Sequence, residues 1–159
     1  MESEIAVRKT VEEQLSFSKI DQIGVIVEDM DKAVKYYEDL GIGPFQDSKL
    51  IIIERRIRGR FADDVKNKVK LTHMGHVQLE LVQPVSGESV QKEFLTKYGE
   101  GINHLAFFID NLDKEVAKCT KRGSQVMSSG RFVGGGGFAY LDTDRVGGVI
   151  FELIQLPPR

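Results

Sequence analysis

Apolar residues along this chain fall into short runs separated by glycine, proline and charge, and the runs repeat. Gln22-Ile-Gly-Val-Ile-Val-Glu-Asp-Met-Asp31-Lys-Ala-Val34, with a helical pattern running on to Gly41, matches His104-Leu-Ala-Phe-Phe-Ile-Asp-Asn-Leu-Asp113-Lys-Glu-Val116, with another running on to Gly123. The offset is constant: 104 − 22, 113 − 31 and 123 − 41 all equal 82. A second pair, Val77-Gln-Leu-Glu80-Leu-Val-Gln83 and Val149-Ile-Phe-Glu152-Leu-Ile-Gln155, repeats at 152 − 80 = 72. A fixed offset means a duplicated structural unit, and the ten-residue difference places a longer middle loop in the first copy.

Each copy opens on a run rich in β-branched or aromatic residues, Ile23 to Val27 and Leu105 to Ile109, which reads as a buried strand. A helix follows. In the first copy Asp29 or Asp31 can cap its start, Ala33, Tyr36, Tyr37 and Leu40 give an apolar stripe, and Gly41 ends it; the second helix covers Asp113 to Arg122 and stops at Gly123. Three strands complete each copy: about Phe45 to Ile53, Val69 to Met74 and Val77 to Val82, then Gln125 to Met127, Phe138 to Asp142 and Val149 to Ile154. The charged stretch Glu54 to Lys68 reads as a long loop or an irregular edge. Outside the repeats, Val7, Val11 and Leu15 mark an amphipathic helix over about 3–16, packed on the domain or on a second subunit. Ser89 to Tyr98 reads as a helical link whose buried face is Val90, Phe94 and Leu95. The fold class is therefore α+β: a single domain over 1–159, with βαβββ repeats at about 18–84 and 100–157 forming a curved, open, eight-stranded mixed sheet around a cleft.

Composition narrows the function. A chain of 159 residues with 41% hydrophobic residues can build a full core. A net charge of −2, 8% aromatic residues and no Trp give no basic surface for a nucleic acid. No apolar run is long enough to span a bilayer, and the acidic start lacks the marks of a leader peptide. The one cysteine, Cys119, cannot form an internal disulfide and reads as core. These features point to the cytoplasm, a small-molecule partner and a homodimer.

The duplication singles out four side chains. Gln22 and His104 open the first strand of each copy, and Glu80 and Glu152 occupy the middle of the last strand. By the two-residue period of a strand each Glu faces away from its apolar neighbours, toward solvent or a polar cleft. Equivalent positions meet around a shared cleft when the copies fold face to face. Gln22, Glu80, His104 and Glu152 are therefore the predicted ligands of one divalent metal ion, for which this donor set suits Zn, Co, Ni or Mn.

At these residues the chain resembles the vicinal oxygen chelate (glyoxalase/bleomycin resistance/dioxygenase) superfamily, from Lys19 to Pro157. Within it, the likeness is to the methylmalonyl-CoA epimerases. It rests on Asp21-Gln-Ile-Gly-Val-Ile-Val, on Val77-Gln-Leu-Glu-Leu-Val-Gln-Pro84 with Glu88-Ser89 and Phe94-Leu95, on Gly101-Ile-Asn-His-Leu-Ala-Phe, and on Gly148-Val-Ile-Phe-Glu-Leu-Ile-Gln. The resemblance implies a metal at the same four residues and an enediolate formed by proton removal, with an acyl-CoA thioester as substrate. Glu152 and Glu80 are then the two bases, ahead of Lys70, Thr72 and His73. The epimerases usually carry His where this chain has Gln22; the order Gln, Glu, His, Glu is similar to that of eukaryotic-type glyoxalase I. Glyoxalase I and a metal-free binding protein of the bleomycin-resistance type are the alternatives. A dioxygenase would need two His ligands, and only His104 matches.

Three further features read more simply. His73 and His76 flank the Gly75 turn as surface groups. Gly130-Arg-Phe-Val-Gly-Gly-Gly-Gly137 lacks the Lys-Ser/Thr of a phosphate loop and is expected to close over the cleft as a flexible lid. Arg55, Arg56, Arg58 and Arg60 read as a solvated charged loop, with contact to a CoA phosphate as the lesser reading.

Overall fold

The computed structural model describes residues 17–159, so the predicted helix at 3–16 lies outside the described residues. Ten strands are present among them. They are β1 (Gln22–Ile26), β2 (Gln46–Asp47), β3 (Ile52–Ile57), β4 (Arg60–Phe61), β5 (Lys66–Met74), β6 (Val77–Ser86), β7 (Gly101–Phe108), β8 (Val126–Phe132), β9 (Gly137–Leu141) and β10 (Ile150–Gln155). Three α-helices accompany them: α1 (Met30–Asp39), α2 (Val90–Tyr98) and α3 (Leu112–Lys121). All the strands join one curled, open mixed sheet in the order β2-β5-β6-β1-β7-β10-β9-β8-β3-β4.

The duplication is visible in the register. At the centre β1 and β7 run antiparallel, Gln22 opposite Ala106 and Gly24 opposite His104. Each pairs in parallel with the last strand of its own copy, Gln22 with Gln78 and Gly24 with Glu80 on one side, His104 with Ile150 and Ala106 with Glu152 on the other. These pairings interchange under the 82- and 72-residue offsets, so a pseudo-two-fold axis passes between β1 and β7.

Side-chain alternation sends one set of residues to each face of the sheet. Leu153, Phe107, Ile109, Ala139 and Leu141 pack with Leu112 and Cys119 around α3, and Val27, Leu81 and Met30 form the equivalent core around α1. Cys119 is buried there, as expected. The opposite, concave face carries Ala106, Phe132, Phe138, Tyr140, Ile150 and Ile154. Caps fix both helix starts in the same way. Asp29 and Asn111 accept from the backbone N–H groups of Lys32 and Lys114, while Gln83 and Gln155 accept from those of Met30 and Leu112. Each such glutamine lies on the last strand of its own repeat, three residues after the Glu of the cleft floor.

Four expectations are corrected. The inward stripe of α1 is Met30, which is buried, with Ala33, Val34 and Tyr37 partly buried beside it; Tyr36, off that face, and Leu40, the C-cap residue past the helix end, are exposed. α2 buries Val90 and Gln91 more deeply than Phe94 and Leu95. β8 runs on to Phe132 because Ser128, Gly130 and Phe132 alternate inward. The expected strand Phe45 to Ile53 divides: β2 pairs with β5 in the first copy, and β3 crosses to β8 in the second. Of the two readings of the charged stretch after it, a long loop or an irregular edge, the second holds, because β4 is an end strand of the sheet. Arg55 to Phe61 forms the β3-β4 hairpin, turning at Arg58 (φ +48°) and Gly59 (φ +80°), which brings the sheet to ten strands instead of eight. The extra residues of the first copy therefore extend the wall over the second.

A candidate metal centre on the floor of the cleft

The four candidate ligands stand on adjacent central strands in two neighbouring rows. One row reads Glu80, Gly24, His104 across β6, β1 and β7; the other reads Gln22, Ala106, Glu152 across β1, β7 and β10. In each row a small residue separates the two functional ones, and Gly24 and Ala106 are themselves repeat equivalents, 106 − 24 = 82. The reason is steric. A Cβ on Gly24 would coincide with the His104 ring, which lies over the glycine and reaches toward Glu80.

The side chains converge. His104 Nε2 lies 3.0 Å from Glu80 Oε2 and 3.1 Å from Glu152 Oε2. Neither approach has hydrogen-bond geometry: His104 Nε2, Glu80 Oε2, Glu152 Oε2 and Gln22 Oε1 are all buried without a hydrogen-bond partner. Unpartnered buried polar atoms are rare because each forfeits its hydration. Three of these atoms, on Glu80, His104 and Glu152, come together at one point, and Gln22 lines the same cleft. Neighbours aim two of these atoms. Asn103 Oδ1, 3.1 Å from His104 Nδ1, accepts from that nitrogen and leaves Nε2 to face the carboxylates, and the Gln22 amide donates to Gln78 Oε1 at 3.0 Å, which leaves its carbonyl oxygen free of that bond.

The electrostatics favour positive charge on the cleft floor. His104 is fully buried, which by itself lowers its pKa, but the carboxylates of Glu152 and Glu80 outweigh burial and raise it to about 10. Burial pushes Glu152 up, and His104 and a hydrogen bond from Tyr140 work against that rise. One buried and one partly buried carboxylate around a buried imidazole are balanced by a proton or by a metal ion. Glu80, His104 and Glu152 thus form a group that could hold a metal ion, and Gln22 offers a fourth, neutral oxygen beside them.

The cleft above this floor has a volume of about 1380 Å³. Phe108, Phe132, Phe138 and Ile154 line one side and β5 and β2 the other. Tyr140 is fully buried at its base, its ring edge-on to His104 at 5.1 Å, and burial followed by the charges of Glu152 and Glu80 raises its hydroxyl well above the ordinary tyrosine value. Gln91 hydrogen-bonds that hydroxyl.

Of the four arginines, Arg56 pairs with Glu54 over the Phe61 ring and Arg58 with Glu93 of α2, both in partial solvent contact, and Arg60 stands on the exposed β4 strand. Arg55 departs from the expectation of a solvated loop. It is 9% exposed and turned into the cleft, where burial lowers its pKa against the charges of Tyr140 and Glu152. The glycine-rich turn lies elsewhere. Gly134 and Gly135 pack against Pro157 and Pro158, and no residue from 133 to 137 lines the cleft. His73 reaches the cleft rim, while His76 is exposed at the turn and does not line it. Reading the sequence missed Gln78, Asn103, Tyr140, Gln91 and the inward turn of Arg55. Gln78, two residues before Glu80 on the same strand face, and the small residues two places after each first-strand ligand were the available signals.

Fold and floor together define a duplicated βαβββ protein with a metal-competent cleft. The chain belongs to the Glyoxalase/Bleomycin resistance protein/Dioxygenase superfamily, whose sequence model matches residues 21–140. Among curated proteins it is similar to the uncharacterised protein YqjC of Bacillus subtilis (strain 168), 25% identical over 141 residues, which cover 87% of this chain and 92% of that protein. Among solved structures it is similar to methylmalonyl-CoA epimerase from Mycobacterium tuberculosis, with TM-score 0.62, 23% identity and coverage of 93% of this chain and 96% of that one. A Streptomyces coelicolor methylmalonyl-CoA epimerase in complex with 2-nitronate-propionyl-CoA matches with TM-score 0.63, 24% identity and coverage of 88% and 95%. At these identities the likeness is one of fold. Among the described residues no helix is long and apolar enough to cross a membrane.

Proposed function

We propose that this protein is a metal-dependent epimerase or isomerase that moves a proton at the carbon beside a carbonyl, with an acyl-CoA thioester of the methylmalonyl type as substrate. The observation that carries this reading is the convergence of Glu80 Oε2, His104 Nε2 and Glu152 Oε2 at the floor of an open cleft that Gln22, its Oε1 likewise buried and unpartnered, also lines. These four residues would hold the ion, of the Zn, Co, Ni or Mn kind. When bound, a divalent ion supplies a Lewis acid for the negative charge that develops on substrate oxygens as a carbon acid loses its proton.

The chain supplies the rest. Glu80 and Glu152 come from opposite copies and flank His104. Each carboxylate, partly detached from the ion in the reacting complex, would take or return a proton from its own side of a substrate carbon. Two bases on two sides are what inversion at carbon requires. Asn103 and Gln78 keep His104 and Gln22 in ligand geometry. Phe108, Phe132 and Phe138 give the cleft an apolar wall beside the reacting centre. The cleft volume accommodates the acyl end of a bulky thioester.

Gln22 at the first ligand position favours a second reading, glyoxalase I. One experiment tests both: the protein is incubated in deuterated water with methylmalonyl-CoA and, separately, with the hemithioacetal of methylglyoxal and glutathione, with metal analysis of the same sample. α-Deuterium incorporation into methylmalonyl-CoA supports the epimerase, and turnover of the hemithioacetal alone assigns the glyoxalase reaction. Ligand binding with neither turnover nor bound metal assigns a metal-free binder.

A further inference from the structure

Arg55 is a buried charge that the metal centre does not use. Among the described residues no carboxylate lies within ion-pair distance of its guanidinium, whereas Arg56, Arg58, Arg131 and Arg145 each hold one. A guanidinium stays protonated in a protein, and an unpaired charge 9% exposed is costly unless something in the cleft answers it. The carboxylate that acts on it electrostatically, Glu152, is turned to His104.

The surrounding strands are built to hold it. Arg55, Gly130 and Phe138 are successive register partners across β3, β8 and β9. The Phe138 ring occupies the space a Cβ on Gly130 would fill, and its centroid lies 5.2 Å from Arg55 Cζ. A ring face beneath a guanidinium supports it without neutralising it, which leaves the fork of N–H donors to the cleft. Two residues further along β9 is Tyr140, edge-on to His104. The arginine thus stands beside the metal floor on the wall contributed by the first-copy hairpin.

We propose that Arg55 binds a free carboxylate of the substrate, so that the cleft selects a thioester whose α-carbon bears a carboxylate over one that lacks it. This inference rests on the acyl-thioester reading above. A planar fork matches a carboxylate in two parallel hydrogen bonds, and a site built for such a pair rejects the analogue without it, because the buried donors are then left unpaired.

Binding tests this without turnover. The affinities of metal-loaded wild type, Arg55→Met and Arg55→Lys for malonyl-CoA, propionyl-CoA and malonate alone are measured by calorimetry, with metal content and thermal midpoint recorded for each. Wild type is expected to bind malonyl-CoA at least tenfold more tightly than propionyl-CoA. Arg55→Met should lose at least tenfold in affinity for malonyl-CoA and malonate but not for propionyl-CoA, and Arg55→Lys should fall between. Arg55→Met should also keep its metal and melt no lower than wild type, because it removes an unpaired buried charge. Equal loss for both thioesters, no loss for either, or a lower midpoint with all affinities falling together would overturn the assignment. If neither thioester binds wild type, the acyl-CoA reading fails, and malonate alone decides Arg55: weaker binding by Arg55→Met supports its role, and unchanged binding refutes it.

Discussion

Gly24 and His104 face each other across β1 and β7, and the imidazole occupies the volume that any side chain on the glycine would need. The ligand geometry therefore depends on a residue with no chemistry of its own. Gly24→Ala should push the ring away from Glu80 and Glu152, weaken metal binding at least tenfold, and cost about 1 to 3 kcal/mol of stability through overpacking. Chelator competition and thermal unfolding measure the two effects; a variant with wild-type metal affinity would refute this account of the ring position.

Proton and metal should compete at His104. In chelator-treated protein its folded pKa of about 10 lies above the ordinary 6.5. The stability gained from the proton is then fully present below about 6.5 and lost as pH rises through 10. The raised Glu152 acts in the same direction, since it too favours the protonated folded state. Apparent metal affinity should rise by about tenfold per pH unit between pH 7 and 9, with release of about one proton. Calorimetry in buffers of different ionisation enthalpy counts that proton, and a pH-independent affinity would sink the scheme.

Removing the proposed bases separates holding the ion from moving the proton. Glu152→Gln and Glu80→Gln should each lower the exchange of an α-proton with solvent deuterium by about 10²- to 10⁴-fold. Should Glu152→Gln retain both its metal and full exchange, Glu152 is no base.

The glycine-rich turn should matter for folding more than for substrate. Gly136 has φ +73°, and a Cβ there would run into the backbone oxygen of Gln155. Gly136→Ala is expected to destabilise the protein by about 1 to 3 kcal/mol. Gly135→Val, beside Pro158, should leave KM within about twofold while lowering the thermal midpoint. A several-fold rise in KM at unchanged stability would restore the lid that the sequence suggested.

The sequence by itself determined the duplication, because strand period, helix stops and polar exceptions recur at fixed offsets that need no third dimension. It named the quartet for the same reason: Glu80 between Leu79 and Leu81, and Glu152 between Phe151 and Leu153, break an apolar run at matching places. It could not name what supports them. Gln78, Asn103 and Tyr140 are ordinary polar or aromatic strand residues whose role arises only when strands distant in sequence come into register. The crossing of β3 to β8 was likewise invisible, since a run of Ile and Arg carries no mark of which edge it will join. Only the register of the curled sheet decided that Arg55 would leave solvent while Arg56 and Arg58 stayed in contact with it, because alternate residues of a strand face opposite ways and the partner strand fixes which way is in.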